Sequence, residues 1–439
     1  MNMLGSIAIR RAPAIARAYA RNTGIQHGPS KLIAIRYFSS HTSARQGNVQ
    51  ALTGYAFAGK PRYVEQTEEE DGKAKDVDPK QLPRQGFPLA SSIGKWTDAM
   101  LQGGESGEDA LAVTKMKDEG DWFLAIADGV GGWSENGVDP ALFSQSLVYH
   151  ASEYAKRFHA CPDRIEAEDL DPTQESSPPS SPLDTPPPSP SPSSASAAAS
   201  KAEPGTPLDI LQYAYQSTQQ EKDVPAGSAT ACFLTFDSTK GILRSANLGD
   251  SGFLVLRPGS STVAVGKDEK KGAVNEEGDR IGLHVIHHQS KPQTHGFNTP
   301  LQLSKLPPEY RFDGSIDSQP SNADTFSCRL MDGDIVLAAT DGFWDNVSTS
   351  EVLQLVAFIR QKHRVAWLDR MSDISIDHVA EERDLANVLA HNLLQYALMC
   401  QFSTTKTSPF ERDAARHGIH YPGGKVDDVA ILTALVVER

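Results

Sequence analysis

The order of strand-like and helix-like segments constrains the fold of this chain more than any other feature of its sequence. Strand patterns occur at 110–114, 122–127, 229–236, 242–247, 252–256, 334–340 and 429–437. Helical spacing of apolar residues occurs at 140–158, 207–220, 350–360 and 380–402. The helices therefore come in pairs between groups of strands, and not in the repeated alternation that is typical of a parallel sheet. This order predicts an α+β fold in which antiparallel sheets are covered by helices.

The first 38 residues differ in charge from the rest of the chain. They contain six basic and no acidic residues, although the whole chain has a formal net charge of −14. This composition is typical of a mitochondrial transit peptide, and 36–40 resembles a matrix processing site with cleavage after Phe38. A disordered basic tail is the alternative. Loss of six positive charges would leave a matrix protein of net charge −20, which argues against nucleic acid as a partner because phosphate backbones repel it.

The rest of the sequence predicts an irregular polar segment at 39–85 and one globular domain at 86–439. Residues 163–206 interrupt this domain with a proline-, serine- and alanine-rich insertion, which we expect to be disordered because it cannot bury enough apolar surface. Its Ser-Pro and Thr-Pro dipeptides leave a regulatory role open, although a plain loop insertion is the simpler interpretation. No stretch reaches the roughly 18 apolar residues of a membrane-spanning helix.

Acidic residues stand where the predicted strands begin or end, usually beside glycine. The motifs are Gly-Glu-Asp at 107–109, Ala-Asp-Gly-Val-Gly-Gly at 127–132, Asn-Leu-Gly-Asp-Ser at 247–251, Ala-Thr-Asp-Gly-Phe-Trp-Asp-Asn at 339–346 and Gly-Gly-Lys-Val-Asp-Asp at 423–428. Any one Asp-Gly pair is more simply a tight turn. Several converging carboxylates, however, repel one another unless a cation neutralises them. The sequence has no arginine or lysine cluster nearby, which indicates a hard cation such as Mg²⁺ or Mn²⁺.

Motifs of other phosphate chemistry are missing from the sequence. It has no GxxxxGK[ST] phosphate loop, no kinase lysine and HRD motifs, and no Cys-x5-Arg phosphatase loop. The four cysteines are scattered, so a structural zinc site or a disulfide framework is not predicted. Carboxylate-bound metal is therefore the chemistry that the sequence favours. Two ions about 3.5–4 Å apart could share a water, lower its pKa and direct it at phosphorus.

The five acidic motifs, in this order, closely resemble those of the metal-dependent protein phosphatases, the protein phosphatase 2C family. Within the family, the chain resembles the mitochondrial branch related to the yeast type 2C phosphatase Seven homologue. The resemblance covers about 87–439 apart from the insertion. It implies a four-layer αββα sandwich, in which two antiparallel sheets are flanked by helices and two metal ions lie in a cleft at one sheet edge.

The resemblance also implies roles for individual residues. The positions that match metal ligands are Glu108, Asp109, Asp128, Gly129, Asp341 and Asp427, with Asp250 and Asp345 at a third, weaker site. Asp128 would bridge both principal ions, and Gly129 would offer its carbonyl oxygen. Asp128, Asp341 and Asp427 are the candidate catalytic residues. Asp428 stands where the family usually has asparagine and is assigned no ligand role.

Two positions depart from the family pattern. Many members have a histidine directly after the Asp-Gly pair, as a general acid, where this chain has Val130. Many also have a phosphate-holding arginine shortly before the Glu-Asp pair, but 102–105 offers none. Protonation of the leaving group would then come from metal-bound water, and Lys95 and Arg84 are the candidates for holding the phosphate.

We therefore expect this chain to hydrolyse phosphoserine or phosphothreonine on mitochondrial proteins, with Mg²⁺ or Mn²⁺ as cofactor and phosphoproteins as partners. The alternative is a non-catalytic domain of the same fold that binds phosphoproteins or regulates a complex. The missing arginine and histidine favour this alternative slightly, while the complete carboxylate set opposes it.

Overall fold

The computed structural model describes residues 49–61, 85–118, 120–160, 205–259, 284–311, 314, 316–370 and 378–438. The predicted transit peptide at 1–38, residues 163–204 of the predicted insertion, and Arg84 lie outside the described residues.

Two five-stranded antiparallel sheets form the centre of the described part of the chain. The first sheet contains β1 (Val49–Ala58), β7 (Gly252–Pro258), β8 (His284–Gln289), β13 (Ile335–Ala339) and β14 (Val429–Glu438), in the order β1-β14-β13-β7-β8. The second sheet contains β2 (Asp109–Lys115), β3 (Trp122–Asp128), β5 (Ala231–Asp237), β6 (Ile242–Leu248) and β12 (Asp324–Arg329), in the order β12-β6-β5-β3-β2. Two smaller ladders pair β4 (Gly227–Ala229) with β11 (Leu303–Lys305) and β9 (Thr294–Gly296) with β10 (Thr299–Pro300).

Helices cover the outer face of each sheet. The helices are α1 (Ser92–Leu101), α2 (Ala141–Ala155), α3 (Pro207–Gln220), α4 (Asp341–Trp344), α5 (Thr349–Arg370), α6 (His378–Gln401) and α7 (Pro409–Arg416). The second sheet packs on α2 and α3, and the first sheet packs on α5 and α6. A third apolar cluster fills the space between the sheets. The predicted four-layer αββα sandwich is therefore confirmed. Within the described residues, every helix is too short or too polar to span a bilayer.

The central strands are apolar on both faces because each face is buried. Along β13, Ile335, Leu337 and Ala339 pack toward the helices, while Val336 and Ala338 pack toward the other sheet. Successive side chains of a strand point to opposite faces, so a strand between two apolar layers loses the usual polar alternation. This is why a strand such as β13 reads as a continuous apolar run in the sequence.

The prediction of an irregular segment at 39–85 is wrong for β1. This strand pairs with β14 along its whole length, from Val49 opposite Glu438 to Ala58 opposite Val429. Its partner is the last strand of the chain, so no local pattern revealed the pairing. Also absent from the elements predicted from the sequence are α1, α7, β8 and β12.

Candidate metal centre

Strand pairing brings two acidic motifs of the second sheet together. β2 begins at Asp109 and β3 ends at Asp128, and the antiparallel register places these residues opposite each other. Directly beyond the pair, the N–H of Gly129 donates to the carbonyl oxygen of Glu108 at 3.1 Å. The hydroxyl of Thr340, which follows β13 of the first sheet, donates to Asp109 Oδ2 at 2.8 Å. The two motifs therefore lie against one edge of the first sheet.

The first sheet contributes three aspartates at that edge. Asp250 precedes β7, Asp341 follows β13, and Asp427 precedes β14. Because β13 pairs antiparallel with both β7 and β14, these three strand ends are neighbours. Carboxylate oxygens of Asp128, Asp250 and Asp341 all lie within 4.8 Å of one another. The two sheets thus combine their acidic motifs in one cluster, which could hold a metal ion.

Lys425 joins three of the carboxylates. Its Nζ lies 2.5 Å from Asp341 Oδ2, 2.8 Å from Asp345 Oδ2 and 3.1 Å from Asp427 Oδ2. Its side chain is mostly buried, with 13% exposed. Burial acts to lower the pKa of Lys425, but the charges of Asp341, Asp345 and Asp427 raise it well above the usual lysine value. The ammonium group is therefore charged, and it brings Asp427 into the same cluster as Asp341.

Lys60 occupies the other side of the centre. Its Nζ lies 2.8 Å from Glu108 Oε2 and 3.3 Å from Asp427 Oδ1. The backbone N–H groups of Lys60 and Glu108 donate to Asp428, at 2.6 Å and 3.0 Å. Asp428 therefore ties the chain after β1 to the Glu-Asp motif, which gives it a positioning role.

The sequence shows no arginine or lysine cluster near the acidic motifs, but in the structure Lys60 and Lys425, which are far apart in the sequence, both contact them. Lys425 belongs to the last motif itself, so the sequence contained the signal for it. Lys60 gave no such signal, because it follows the strand that the sequence analysis missed. The carboxyl groups at the centre are those of Glu108, Asp109, Asp128, Asp250, Asp341, Asp345, Asp427 and Asp428. Two ammonium groups leave most of this negative charge uncompensated when the carboxyl groups are ionised.

The remaining negative charge is held at a high energetic cost. Burial, followed by the neighbouring carboxylates, raises the pKa of Asp109 and Asp128 well above the usual aspartate value. The same causes raise the pKa of Asp250 to about 8. In the described part of the chain, Asp109 Oδ1 and Asp250 Oδ1 are buried without a hydrogen-bond partner. Buried oxygens of this kind are costly unless something binds them, so the residues fit a hard cation.

Two glycines allow the motifs to pack closely. A Cβ on Gly129 would lie 2.6 Å from the carbonyl oxygen of Pro140, and a Cβ on Gly342 would lie 1.9 Å from that of Asp428. Both neighbours are backbone atoms, which cannot move aside at low cost. The glycine after Asp128 and the glycine after Asp341 are therefore needed to bring each aspartate to the centre.

Of the two residues expected to hold the phosphate, Lys95 and Arg84, the structure describes only Lys95. Lys95 is an exposed residue of α1, and Arg84 lies outside the described residues. Val130 packs against a small apolar cluster that contains Trp133, so this position has a packing role. Lys60 is the cation that the structure does place beside Glu108.

The sequence was compared with known protein families and curated proteins. The model of the family described as protein phosphatase 2C matches residues 98–389. The protein phosphatase PTC7 homolog fig of Drosophila willistoni is 30% identical over 362 residues, which cover 79% of this chain and 88% of that protein. The human protein phosphatase PTC7 homolog is 29% identical over 332 residues, covering 76% of this chain and 80% of that protein.

Solved structures of other proteins also match this chain. The photosystem II phosphatase PBCP matches with a TM-score of 0.48 and 21% identity, over 88% of this chain and 98% of that one. The catalytic domain of the serine threonine protein phosphatase PstP, solved with 2 manganese ions, matches with a TM-score of 0.36 and 15% identity, over 88% of this chain and 100% of that one.

Proposed function

Because this chain belongs to the protein phosphatase 2C family of metal-dependent serine/threonine phosphatases, we propose that its acidic centre holds two Mg²⁺ or Mn²⁺ ions and hydrolyses phosphoserine and phosphothreonine on mitochondrial proteins. The observation that carries the proposal is the convergence of Asp128, Asp250 and Asp341, whose oxygens lie within 4.8 Å of one another. Bound divalent ions would lower the pKa of a water and stabilise negative charge on the phosphoryl group.

The residues proposed to hold the two principal ions come from both sheets. They are Glu108, Asp109, Asp128, Gly129, Asp341 and Asp427, while Asp250 and Asp345 would serve a third, weaker site. Asp128 ends a strand of the second sheet, and its carboxylate lies within 4.8 Å of those of Asp250 and Asp341 from the first sheet. This position supports its proposed bridging role. The unpartnered buried oxygens of Asp109 and Asp250 support the presence of a cation at each of these residues.

Lys60 is the proposed phosphate-holding group in place of the missing arginine. Its side chain is 32% exposed, whereas that of Lys425 is 13% exposed. Its ammonium group, 2.8 Å from Glu108, therefore lies nearer the surface of the centre. A cation in this position can donate a charge-assisted hydrogen bond to a phosphate oxygen. Lys425 instead orients Asp341, Asp345 and Asp427 from within the centre.

The test is release of phosphate from a phosphothreonine peptide by the full chain in Mn²⁺. Asp128→Asn keeps the size of the side chain but removes its charge, and it should lower the rate at least about 100-fold. Asp118→Asn is the matched control, because that side chain is 49% exposed and lies outside the acidic centre. Its rate should stay near that of the wild type. Removal of Mn²⁺ with a chelator should abolish release in all three proteins.

A wild-type protein that binds the phosphopeptide without releasing phosphate would contradict the proposal and favour the non-catalytic alternative. Full activity of Asp128→Asn would contradict the assignment of the centre.

The proposed mitochondrial location rests on the basic, acid-free composition of the first 38 residues. A fluorescent protein fused to residues 1–38 should enter mitochondria. Replacing Arg10, Arg11 and Arg17 with glutamine should prevent its import. Import that is independent of these arginines would argue against a transit peptide.

A further inference from the structure

A cavity of about 700 Å³ opens beside the acidic centre. Asp250, Asp341 and Asp345 are among the residues that line it. Residues of α7 and of the β9-β10 hairpin, which have no role in the function proposed above, also line it. A substrate bound at the metal centre would therefore have a continuous space to extend into.

Aromatic packing joins the hairpin to α7. The ring centroids of Phe297, between β9 and β10, and Phe410, in α7, are 5.0 Å apart, and those of Phe297 and His417 are 5.4 Å apart. Contacts of this length are typical of stabilising aromatic pairs. The two walls therefore form one unit.

Two contacts attach this unit to the acidic centre. The backbone N–H of Phe410 donates to the carbonyl oxygen of Asp345 at 3.0 Å. Lys425 Nζ, which contacts Asp341, also donates to Asn298 Oδ1 at 3.1 Å. The two walls formed by α7 and the β9-β10 hairpin are thus held in a defined position relative to the carboxylates.

The cavity is lined by basic as well as acidic residues. Arg412 and Arg416 lie one helical turn apart on α7 and both line the cavity. The side chain of Arg416 is 76% exposed, and its contact with Asp413, at 3.6 Å, joins two exposed groups. Exposed pairs of this kind are weak, so the guanidinium group of Arg416 can bind another partner. Arg412 is also an exposed residue. His295, His417 and Asp413 also line the cavity.

We propose that this cavity, which we call the α7 groove, binds the substrate residues that flank the phosphorylated side chain, and that Arg412 and Arg416 select segments with acidic residues there. The inference rests on the proposed phosphatase function. Arginine pairs with carboxylates through two parallel hydrogen bonds, and the rest of this acidic protein would repel such segments. Two exposed arginine–carboxylate pairs should favour binding of an acidic segment over a neutral one about three- to tenfold.

The experiment compares two phosphothreonine peptides of equal length. One carries glutamate at the two positions on each side of the phosphothreonine, and the other carries glutamine there. The wild-type full chain in Mn²⁺ should show a kcat/KM about three- to tenfold higher for the glutamate peptide. The ratio should fall as salt rises to about 0.5 M, because exposed charges are then screened.

Two double variants test the arginines. Arg412→Gln with Arg416→Gln should bring the ratio close to one, and Arg412→Glu with Arg416→Glu should make the glutamine peptide the better substrate. A reversed preference cannot result from a general loss of folding, because one of the peptides is still turned over. Arg157→Gln is the matched control: Arg157 is exposed beyond the end of α2 and should leave the ratio of the wild type unchanged.

Equal turnover of both peptides by the wild type, or an unchanged ratio in the double variants, would overturn the α7 groove while leaving the phosphatase function intact. Turnover of neither peptide in Mn²⁺ would instead refute the phosphatase function, and the groove proposal with it.

Discussion

Replacing Lys425 with methionine would remove the buried ammonium group that contacts Asp341, Asp345 and Asp427, while nearly keeping the length of the side chain. The three carboxylates would then face one another without this positive charge. Because the carboxylates hold the pKa of Lys425 well above its usual value, the folded protein stabilises the charged form of the lysine. The metal-free protein should therefore depend on this residue for stability.

The size of the expected loss of stability follows from the short contacts and the burial of Lys425. At an effective dielectric constant of about 20, a pair of charges about 3 Å apart attracts by roughly 5 kcal/mol, but desolvation of both groups offsets most of this. Removing one partner of a buried ion pair typically costs about 3–5 kcal/mol. We expect the free energy of unfolding to fall by that amount in a chelator at pH 8. Saturating Mn²⁺ should at least halve the loss, because it replaces the missing charge and should therefore bind the folded variant more tightly than the folded wild type.

Urea unfolding followed by circular dichroism, with chelator or with Mn²⁺, measures both quantities. Lys156→Met is the matched control, since Lys156 forms an exposed ion pair with Glu153, with side chains 49% and 39% exposed. It should lower the free energy of unfolding by about 0.5 kcal/mol or less. A loss below about 1 kcal/mol for Lys425→Met in chelator, or an equal loss with and without Mn²⁺, would refute the reasoning.

Two further substitutions test contacts of the helices that cover the first sheet. Glu351→Gln should lower the free energy of unfolding by about 1 kcal/mol at pH 7, because hydrogen bonds, the largest from Ser348, hold the pKa of Glu351 at about 2 although burial acts to raise it. Since the folded pKa is depressed, the difference from the wild type should be complete above about pH 4.5 and shrink as the pH falls toward 2; urea titrations that show a constant difference would contradict this. Gly54→Ala should cost about 1–3 kcal/mol, because the new Cβ would lie 2.5 Å from the backbone carbon of Ala386 in α6. Gly132→Ala, whose Cβ would meet nothing within 4 Å, should change the urea midpoint little, and equal midpoints for both glycine variants would contradict the packing argument.

Most of the central strands could be predicted from the sequence because they are buried on both faces. The run at 122–127 is apolar without interruption, and the run at 229–236 is interrupted only by Thr230 and Thr235. This pattern does not depend on knowing the neighbouring strand. β1 was missed for the opposite reason. It lies at the edge of the first sheet, contains Gln50, Thr53 and Gly54, and acquires its strand structure by pairing with residues near the other end of the chain.

The candidate site was predictable in its acidic residues and not in its basic ones. Repeated aspartates at strand ends are a local signal, and the structure gathers them at one sheet edge. Lys425 stands inside an acidic motif but gives a weaker signal, because a long lysine side chain can extend into solvent or fold back onto a carboxylate. Whether it does so depends on where the neighbouring strands place the carboxylates. The basic face of α7 is a similar case, since its relation to the centre depends on the contact between Phe410 and Asp345.

The sequence by itself determined local features of this protein: most of the central strands and the long helices, where the acidic motifs stand, and to which family they belong. These depend on short-range periodicity and residue type. The tertiary structure decided which distant residues share one environment, including the pairing of β1 with β14, the placement of Lys60 and Lys425 among the carboxylates, and the cavity beside α7. Contacts between residues hundreds of positions apart form only when whole layers pack together, so no local pattern specifies them.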